Sequence, residues 1–235
     1  MENLENTMEI SAIKDKNELI KNLELKNLIQ FKLDKTEFEI KDLDSIDEII
    51  LDSQNIVGVY NKVYFEEVSL FKNLKKISIR NLGLTLNDIK NVSNIKNIEF
   101  VNCEIRDITM FSNVEHLSLI NTEIDNFEEI KKLSNLIELQ LINIKIDNFE
   151  FLKTFTNLKK LVIKNIKDFS LSKIDFYLPI EYLSVEKIDK LELEIISKYK
   201  NLKTLSVDRE ESYNFEKELK ELKNIKILLN DMYEY

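Results

Sequence analysis

The feature that most constrains this chain is an apolar pattern that returns at nearly constant spacing. The segment from Leu136 to Asn143 is followed, 22 residues later, by the segment from Leu158 to Asn165. Both have apolar residues at the first, fourth and sixth positions and asparagine at the eighth. A pattern that repeats with a fixed period in the range of roughly 20 to 50 residues is typical of arrays in which each unit packs on the next. We therefore interpret the chain as a stack of similar units.

The same pattern extends over most of the sequence. The alternating apolar residues in each unit predict a short strand, and apolar residues at three- to four-residue spacing after it predict a helical or 3₁₀ segment. The second unit has a shifted register or an insertion around residues 57–68, and the last unit can also be aligned from Leu222. The first apolar anchors of the units are Leu28, Ile46, Leu74, Ile95, Val114, Leu136, Leu158, Ile180, Leu202 and Ile225.

Two units carry the family resemblance most clearly. The segment from Ile95 to Ile105 matches the pattern L-x-x-L-x-L-x-x-N/C-x-L with Cys103 at the N/C position, and the segment from Val114 to Ile124 matches with Thr122 there. From about residue 23 to residue 235 the chain thus resembles the leucine-rich repeat family, in its bacterial or phage type. The resemblance implies an α/β solenoid with a curved parallel β-sheet on its concave side and short helical or 3₁₀ segments on its convex side.

The chain departs from the family pattern in the position of asparagine. Two uses of the shifted asparagines are open: they satisfy backbone groups of the turn after each strand, or they form a polar rim for a ligand. The family's asparagine position holds Leu82, Cys103, Thr122, Ile144, Ile166 and Ile188, whereas asparagine occurs one residue earlier, at Asn81, Asn102, Asn121, Asn143 and Asn165.

The predicted domain organisation is a single continuous solenoid. Only two glycines and one proline are present, which argues against a flexible linker. We expect an N-terminal cap over residues 1–22, with a disordered tail as the alternative, and repeats over residues 23–214. The last repeat and a C-terminal cap follow over residues 215–235, with the open core covered by Phe215, Met232, Tyr233 and Tyr235.

Composition and charge restrict the location and the partner. The sequence has no apolar run long enough for a transmembrane helix, begins without a signal peptide and has a single cysteine, which together favour a cytoplasmic location without membrane association. The formal net charge is −9, which argues against direct nucleic-acid binding.

The sequence predicts no catalytic, cofactor-binding or metal-binding residues. Cys103 and the only histidine, His116, fall on opposite faces of the predicted sheet, so they cannot form a catalytic pair. One cysteine and one histidine also cannot provide a zinc site, and two glycines do not make a phosphate-binding loop. We expect Cys103 in the core, His116 on the surface and no enzymatic activity.

The candidate binding site is the outward face of the predicted strands. Val101, Ile120 and Ile142 should stand side by side there, and contiguous exposed apolar residues mark interaction sites. The alternative is that they reflect only the β-propensity of branched residues. The other candidate residues surround these three: His116, Glu138, Gln140, Val162, Tyr182, Glu99, Lys160 and Lys164.

The family resemblance implies a protein-binding module. Because the chain is acidic, and residues 1–50 hold much of the excess negative charge, we expect a basic partner protein. An inhibitor, immunity-type or anti-defence protein that blocks a nucleic-acid-processing enzyme is the concrete form of this hypothesis. A structural or cell-surface adhesion protein is the alternative. The unbound protein is expected to be monomeric.

Overall fold

The protein is a solenoid built on one long parallel sheet. In a computed structural model, the described residues are 20, 23–52, 65–81, 83–84, 94–174, 177–187, 192–209, 212 and 216–230. Within them, nine strands pair in chain order, every pair parallel. They are β1 (Glu48–Asp52), β2 (Lys76–Arg80), β4 (Asn97–Val101), β6 (His116–Ile120), β8 (Glu138–Ile142), β9 (Lys160–Lys164), β10 (Tyr182–Glu186), β11 (Thr204–Asp208) and β12 (Lys226–Asn230).

A second, smaller sheet follows the turns of three units. It contains β3 (Gly83–Leu84), β5 (Glu104–Ile105) and β7 (Glu123–Ile124), also parallel. Parallel neighbours need a crossover connection, and short helical segments provide most of these returns. The described 3₁₀ segments are Ile40–Ser45, Phe65–Leu70, Thr109–Phe111, Phe127–Lys132, Glu150–Thr154 and Leu171–Lys173, and the α-helices are α1 (Leu23–Leu33), α2 (Leu193–Ile196) and α3 (Glu216–Glu221).

The strand register confirms the predicted repeat pattern from Ile46 to Leu202. Leu139, for example, pairs with Leu117 on one side and with Leu161 on the other. The first anchors of these units are all buried. Ile49 pairs with Ile77, so the register of the unit that begins at Ile46 is also confirmed. The additional residues of that unit lie between β1 and β2.

The first and last units differ from the sequence interpretation. Leu28 is not a strand anchor, because it lies in α1, which buries Leu25 and Ile29 against the core at the N-terminal side. In the last unit Leu205 pairs with Ile227, so the 22-residue spacing continues and both alignments, from Ile225 and from Leu222, are wrong. A slip of one residue would have turned Leu228 inward instead of Ile227.

The convex segments fill the core with aromatic rings. Phe149, Phe151 and Phe155 are buried, and Phe127 packs against the same core. Edge-to-face contacts join Phe127 to Phe151 at 4.9 Å between ring centroids and Phe151 to Phe155 at 6.1 Å. This confirms that the helical spacing of these residues serves packing.

Several predictions fall outside the described residues. Apart from the buried Ile20, the expected cap over residues 1–22 is among them. So are Leu82, Ile188 and the four aromatic and methionine residues expected to cover the C-terminal end. The boundaries at residues 22/23 and 214/215 stay predictions. None of the described helices is long and apolar enough to cross a membrane.

Candidate functional site: the concave face of the sheet

Three outward-facing residues of each strand form the concave face. Side chains alternate between the two faces of a strand, so the first, third and fifth residues of each five-residue strand face away from the core. The register aligns them into columns that run across the sheet about 4.8 Å per strand. In β6 they are His116, Ser118 and Ile120, which are all half-buried, whereas Leu117 and Leu119 are buried in the core.

Val101, Ile120 and Ile142 form a contiguous apolar row at the last outward position of β4, β6 and β8, three central strands of the sheet. Val101 pairs with Ile120, and Ile120 with Ile142, so the three side chains are neighbours as predicted. We call these three residues the apolar row. Each is half-buried rather than exposed. The large apolar side chains with high exposure lie elsewhere, and of these only Ile50 belongs to an outward column.

Val162 differs from the expectation that it would be an exposed contact residue. It occupies an outward position on β9 but is only 5% exposed. Its strand neighbours Lys160 and Lys164 are each held in an ion pair, with Glu138 and with Glu186. The outward side chains of a curved sheet converge on the concave side, and Val162 therefore lies in the floor of the face.

Glu138 is the centre of a polar network beside the apolar row. Its Oε1 accepts hydrogen bonds from Lys160 Nζ at 2.6 Å and Gln140 Nε2 at 2.7 Å, and its Oε2 contacts His116 Nδ1 at 3.1 Å. Burial disfavours the charged carboxylate and on its own would raise the pKa of Glu138. The hydrogen bonds from Lys160, Gln140 and His116 outweigh burial, so the pKa of Glu138 is below its ordinary value.

Two further ion pairs flank the apolar row. On one side Arg80 Nη2 lies 2.9 Å from Glu99 Oε1, which also accepts a hydrogen bond from Ser78 at 2.7 Å. On the other side Lys164 Nζ lies 2.8 Å from Glu186 Oε2.

Tyr182 is the last of the predicted polar residues around the apolar row. The ammonium group of Lys160 lies 5.4 Å from the centroid of its ring, within cation–π range. The predicted polar residues thus do surround the apolar row, and their charges are largely paired with each other.

A ladder of asparagine amides borders the fourth side of the face. The asparagines have left-handed backbones, with φ between 49° and 57°. Their amides bond one another rather than the turn backbone. The prediction that they satisfy backbone groups of the turn is therefore wrong, while the prediction of a polar rim for a ligand stays a prediction. We call this row the asparagine ladder: Asn81 Nδ2 donates to Asp52 Oδ1 (2.8 Å), Asn102 to Asn81 (2.9 Å), Asn121 to Asn102 (3.0 Å), Asn143 to Asn121 (2.5 Å) and Asn165 to Asn143 (3.0 Å).

Cys103 and His116 are not brought together. Cys103 is buried, and its Sγ contacts the carbonyl oxygens of Ile79 and Val101, each at 3.3 Å. His116 lies on the concave face, where it contacts Glu138. Within the described part of the chain no group of three or more His, Cys, Asp or Glu side chains is arranged to hold a metal ion.

Sequence reasoning missed a shallow depression around Ser118. Its volume is about 440 Å³, and it lies beside the apolar row towards the start of the strands. The Oγ atom of Ser118 is buried there without a hydrogen-bond partner. Alternation places Ser118 on the outward face, but it cannot tell this serine from Ser184 and Ser206, which are buried in the same column. The lining of the depression includes Lys76, Asn97, Glu99, His116, Glu138 and Gln140.

Comparison with known proteins supports the architecture. The structure is similar to that of an internalin C2 from Listeria monocytogenes, with a TM-score of 0.64 over 91% of this chain and 96% of that chain, at 21% sequence identity. The chain has the leucine-rich repeat fold. An internalin (InlF) from the same organism is similar to this repeat solenoid with a TM-score of 0.59, covering 93% of this chain and 72% of that chain at 14% identity. No protein-family model and no curated protein matches the sequence.

Proposed function

We propose that this leucine-rich repeat protein binds another protein through its concave face, with the apolar row at the centre of the contact. The observation that carries the proposal is the arrangement around Val101, Ile120 and Ile142. These apolar residues lie side by side on central strands of the sheet, between the paired charges of the neighbouring strands and the amides of the asparagine ladder. Binding hot spots concentrate in the dry centre of an interface that is surrounded by polar residues.

The paired state of the surrounding charges favours docking. A charge that loses water on binding is costly unless it already has a partner. Glu138, Glu99 and Glu186 each have a cation within 3 Å, so a partner can cover them without leaving a carboxylate alone. The half-buried row then supplies the apolar area that is removed from water.

The test is a double substitution in the row. Ile120→Asp with Ile142→Asp places two charges where the partner would dock, and neither side chain fills the core. A partner is first captured with the wild-type protein from a lysate of the source organism, and its affinity is then measured by calorimetry. We expect the double variant to bind at least about a hundredfold more weakly, which corresponds to about 2.7 kcal/mol.

The matched control adds the same charges on another surface. Thr156→Asp with Asn157→Asp changes two exposed residues in the turn after the 3₁₀ segment Glu150–Thr154. This variant should bind like the wild type, and both variants should keep the wild-type melting temperature. Equal affinity of the wild type and the Ile120/Ile142 variant would exclude the apolar row as the centre of the contact.

A finer proposal concerns the class of partner. The net charge of −9 is not concentrated on the concave face, where acidic and basic side chains occur in nearly equal numbers. The negative electrostatic field of the surface outside the concave face would therefore attract a basic partner, although that surface does not itself contact the partner. Such steering is expected for an inhibitor or anti-defence protein acting on a nucleic-acid-processing enzyme.

Its test is the association rate of the captured partner between about 50 and 500 mM salt. A steep decrease supports steering of a basic partner, because added salt screens long-range attraction. A flat dependence rejects it. A cytoplasmic location belongs to the same proposal, and recovery of the protein at the cell surface would favour the adhesion alternative.

A further inference from the structure

The small sheet of β3, β5 and β7 ends at β7, and the units after it have backbone donors without acceptors. The N–H of Glu123 in β7 donates to the carbonyl oxygen of Cys103 at 2.9 Å. Lys145 occupies the corresponding position of the next unit, and Lys167 that of the unit after it. Within the described part of the chain, the backbone N–H groups of Lys145 and Lys167 have no hydrogen-bond acceptor. Both groups are therefore free to donate to a ligand.

Three lysines without an ion pair line one depression at this place. The depression has a volume of about 590 Å³ and lies beside the asparagine ladder. Lys145, Lys167 and Lys187 belong to its lining and are exposed, and none of them has an ion pair among the described residues. We call this the lysine depression. The lysines of the concave face differ, since Lys160 and Lys164 are each held by a carboxylate.

Lys187 is at a position where an asparagine would serve the fold better. It follows β10 as Asn165 follows β9, and its φ is 50°. The left-handed region is unfavourable for a lysine and tolerated by asparagine, and the ladder of amides stops at Asn165. Residues that break a local structural rule occur at functional sites, where the loss of stability is offset by function. Lys187 contributes a third ammonium group to the lysine depression.

We propose that the lysine depression binds a phosphate monoester group. Its lining has three lysines and one carboxylate, that of Glu123, so two positive charges are left unbalanced in a protein whose net charge is −9. A phosphate monoester carries a charge of about −1.5 to −2 at neutral pH and has three strong acceptor oxygens. Ammonium groups and backbone N–H groups are donors only, and lysine binds phosphate as a point charge. A carboxylate, with one charge and two oxygens, matches less of this site.

The site goes beyond the proposed protein-binding function and does not depend on it. The lining contains ladder asparagines and the residues that follow them, but no residue of the apolar row. A phosphate group can therefore occupy the lysine depression while the concave face is free or covered.

The binding of phosphate can be tested on the full-length ¹⁵N-labelled protein at constant ionic strength. The probe is N-acetyl-phosphoserine amide, and the control is dimethyl phosphate, which has the same tetrahedral centre and only one charge. We expect saturable chemical-shift changes in the millimolar range, centred on Lys145, Lys167 and Lys187, and an affinity for the control that is at least about tenfold weaker. Equal affinity for both compounds, or shifts spread over the exposed lysines of the whole protein, would overturn the proposal.

A third titration, with inorganic phosphate, distinguishes the source of the group. Inorganic phosphate that binds as tightly as the phosphoserine probe supports a site for free phosphate. Weaker binding than that of the probe supports a site for a phosphorylated side chain.

A double substitution tests the two lysines that also offer backbone donors. Lys145→Gln with Lys167→Gln should weaken binding of the phosphoserine probe at least about tenfold, because two positive charges are lost. Lys72→Gln with Lys223→Gln removes two exposed lysines outside the depression and should bind like the wild type. Equal affinities of the two double variants would reject the site.

Two single substitutions separate binding from stability. Lys187→Asn should weaken binding of the probe while making the protein more stable to urea, because asparagine suits the left-handed turn. A purely structural role of Lys187 would not change the two properties in opposite directions. Glu123→Gln should tighten binding, since it removes the only carboxylate of the lining. Unchanged affinity in both variants would contradict the electrostatic argument.

The outcomes separate this inference from the proposed function. Specific phosphate binding, together with a partner affinity that the Ile120/Ile142 substitutions do not change, would keep the lysine depression and reject the apolar row. Loss of partner affinity in that variant, with no specific phosphate binding, would keep the apolar row and reject the lysine depression.

Discussion

At the scale of single residues, the environment of an outward position decides its role more than its residue type does. Val162 and Ile142 are both aliphatic and both face outward, on adjacent strands. Val162 lies in the floor between two lysines held in ion pairs, whereas Ile142 is only half-buried next to the asparagine ladder. Glu138 shows the same principle for a charged residue, because three donors stabilise a carboxylate that burial alone would destabilise.

Glu138 therefore contributes stability that depends on pH. A carboxyl group whose pKa is lower in the folded state stabilises the protein above its ordinary pKa of 4.5, and this contribution is lost as the pH falls through the folded-state value. We expect Glu138→Gln to lower the free energy of unfolding by about 1 kcal/mol at pH 7. The difference from the wild type should shrink towards pH 3. Chemical denaturation at both pH values measures it.

The control for this prediction is Glu123→Gln, which should change the free energy of unfolding by less than about 0.5 kcal/mol at either pH. A loss in Glu138→Gln that is as large at pH 3 as at pH 7 would show that packing, and not the charge, is responsible.

At the scale of elements, the asparagine ladder connects the ends of successive strands. Each asparagine amide donates towards the N-terminal side of the solenoid, and those before Asn165 also accept from the C-terminal side, so the amide dipoles point the same way, beginning at the carboxylate of Asp52. Aligned hydrogen bonds polarise one another. The backbone also requires these residues, since the left-handed region is unfavourable for most side chains and is tolerated by asparagine. At the corresponding position of the next unit, Lys187 has φ 50°.

Substitutions at Asn143 and Lys187 separate these two contributions. Asn143→Gly keeps the left-handed turn but removes two ladder hydrogen bonds, and we expect a loss of about 1 kcal/mol in the free energy of unfolding. Asn143→Ala adds the backbone cost and should lose about 2 kcal/mol. Lys187→Asn should instead gain about 0.5 to 1 kcal/mol, because asparagine suits the left-handed turn and can donate to Asn165. Urea denaturation compares the three variants.

Each variant can contradict part of the interpretation. Equal losses in the glycine and alanine variants would show that the backbone conformation contributes little. A glycine variant as stable as the wild type would show that the amide hydrogen bonds contribute little to stability.

At the scale of the whole molecule, the parallel stack makes the protein long in one direction. Nine strands spaced by about 4.8 Å span about 38 Å across the sheet. A compact chain of 235 residues has a radius of gyration of roughly 17 to 18 Å. We expect solution X-ray scattering of the unbound protein to give a larger value, with a molecular mass equal to that of the 27.9 kDa monomer. A radius at or below the compact value would contradict the solenoid, and a doubled mass would contradict the expected monomer.

The repeat pattern was sufficient to determine the fold and the direction of most side chains. A 22-residue unit with alternating apolar anchors can bury those anchors only by stacking on its neighbours, so the units from Ile46 to Leu202 and the row of Val101, Ile120 and Ile142 follow from spacing alone. Local spacing was insufficient where several alignments buried similar apolar residues. The last unit offers Leu222, Ile225, Ile227, Leu228 and Leu229 in close succession, and only pairing with β11 selects Ile227 and Leu229 as the inward pair.

The properties of the outward columns were decided by tertiary structure. The burial of Val162, the unused hydroxyl of Ser118 and the amide ladder depend on side chains from units 19 to 29 residues away in sequence. The helix α1 replaces a first repeat because Leu25, Leu28 and Ile29 recur at helical spacing. The sequence interpretation used Leu28 alone, as a strand anchor, and so missed this helical spacing. A repeating sequence thus determines which face each residue belongs to. The neighbours on adjacent strands then determine much of what that residue contacts, because the ion pairs described on the face all form between strands.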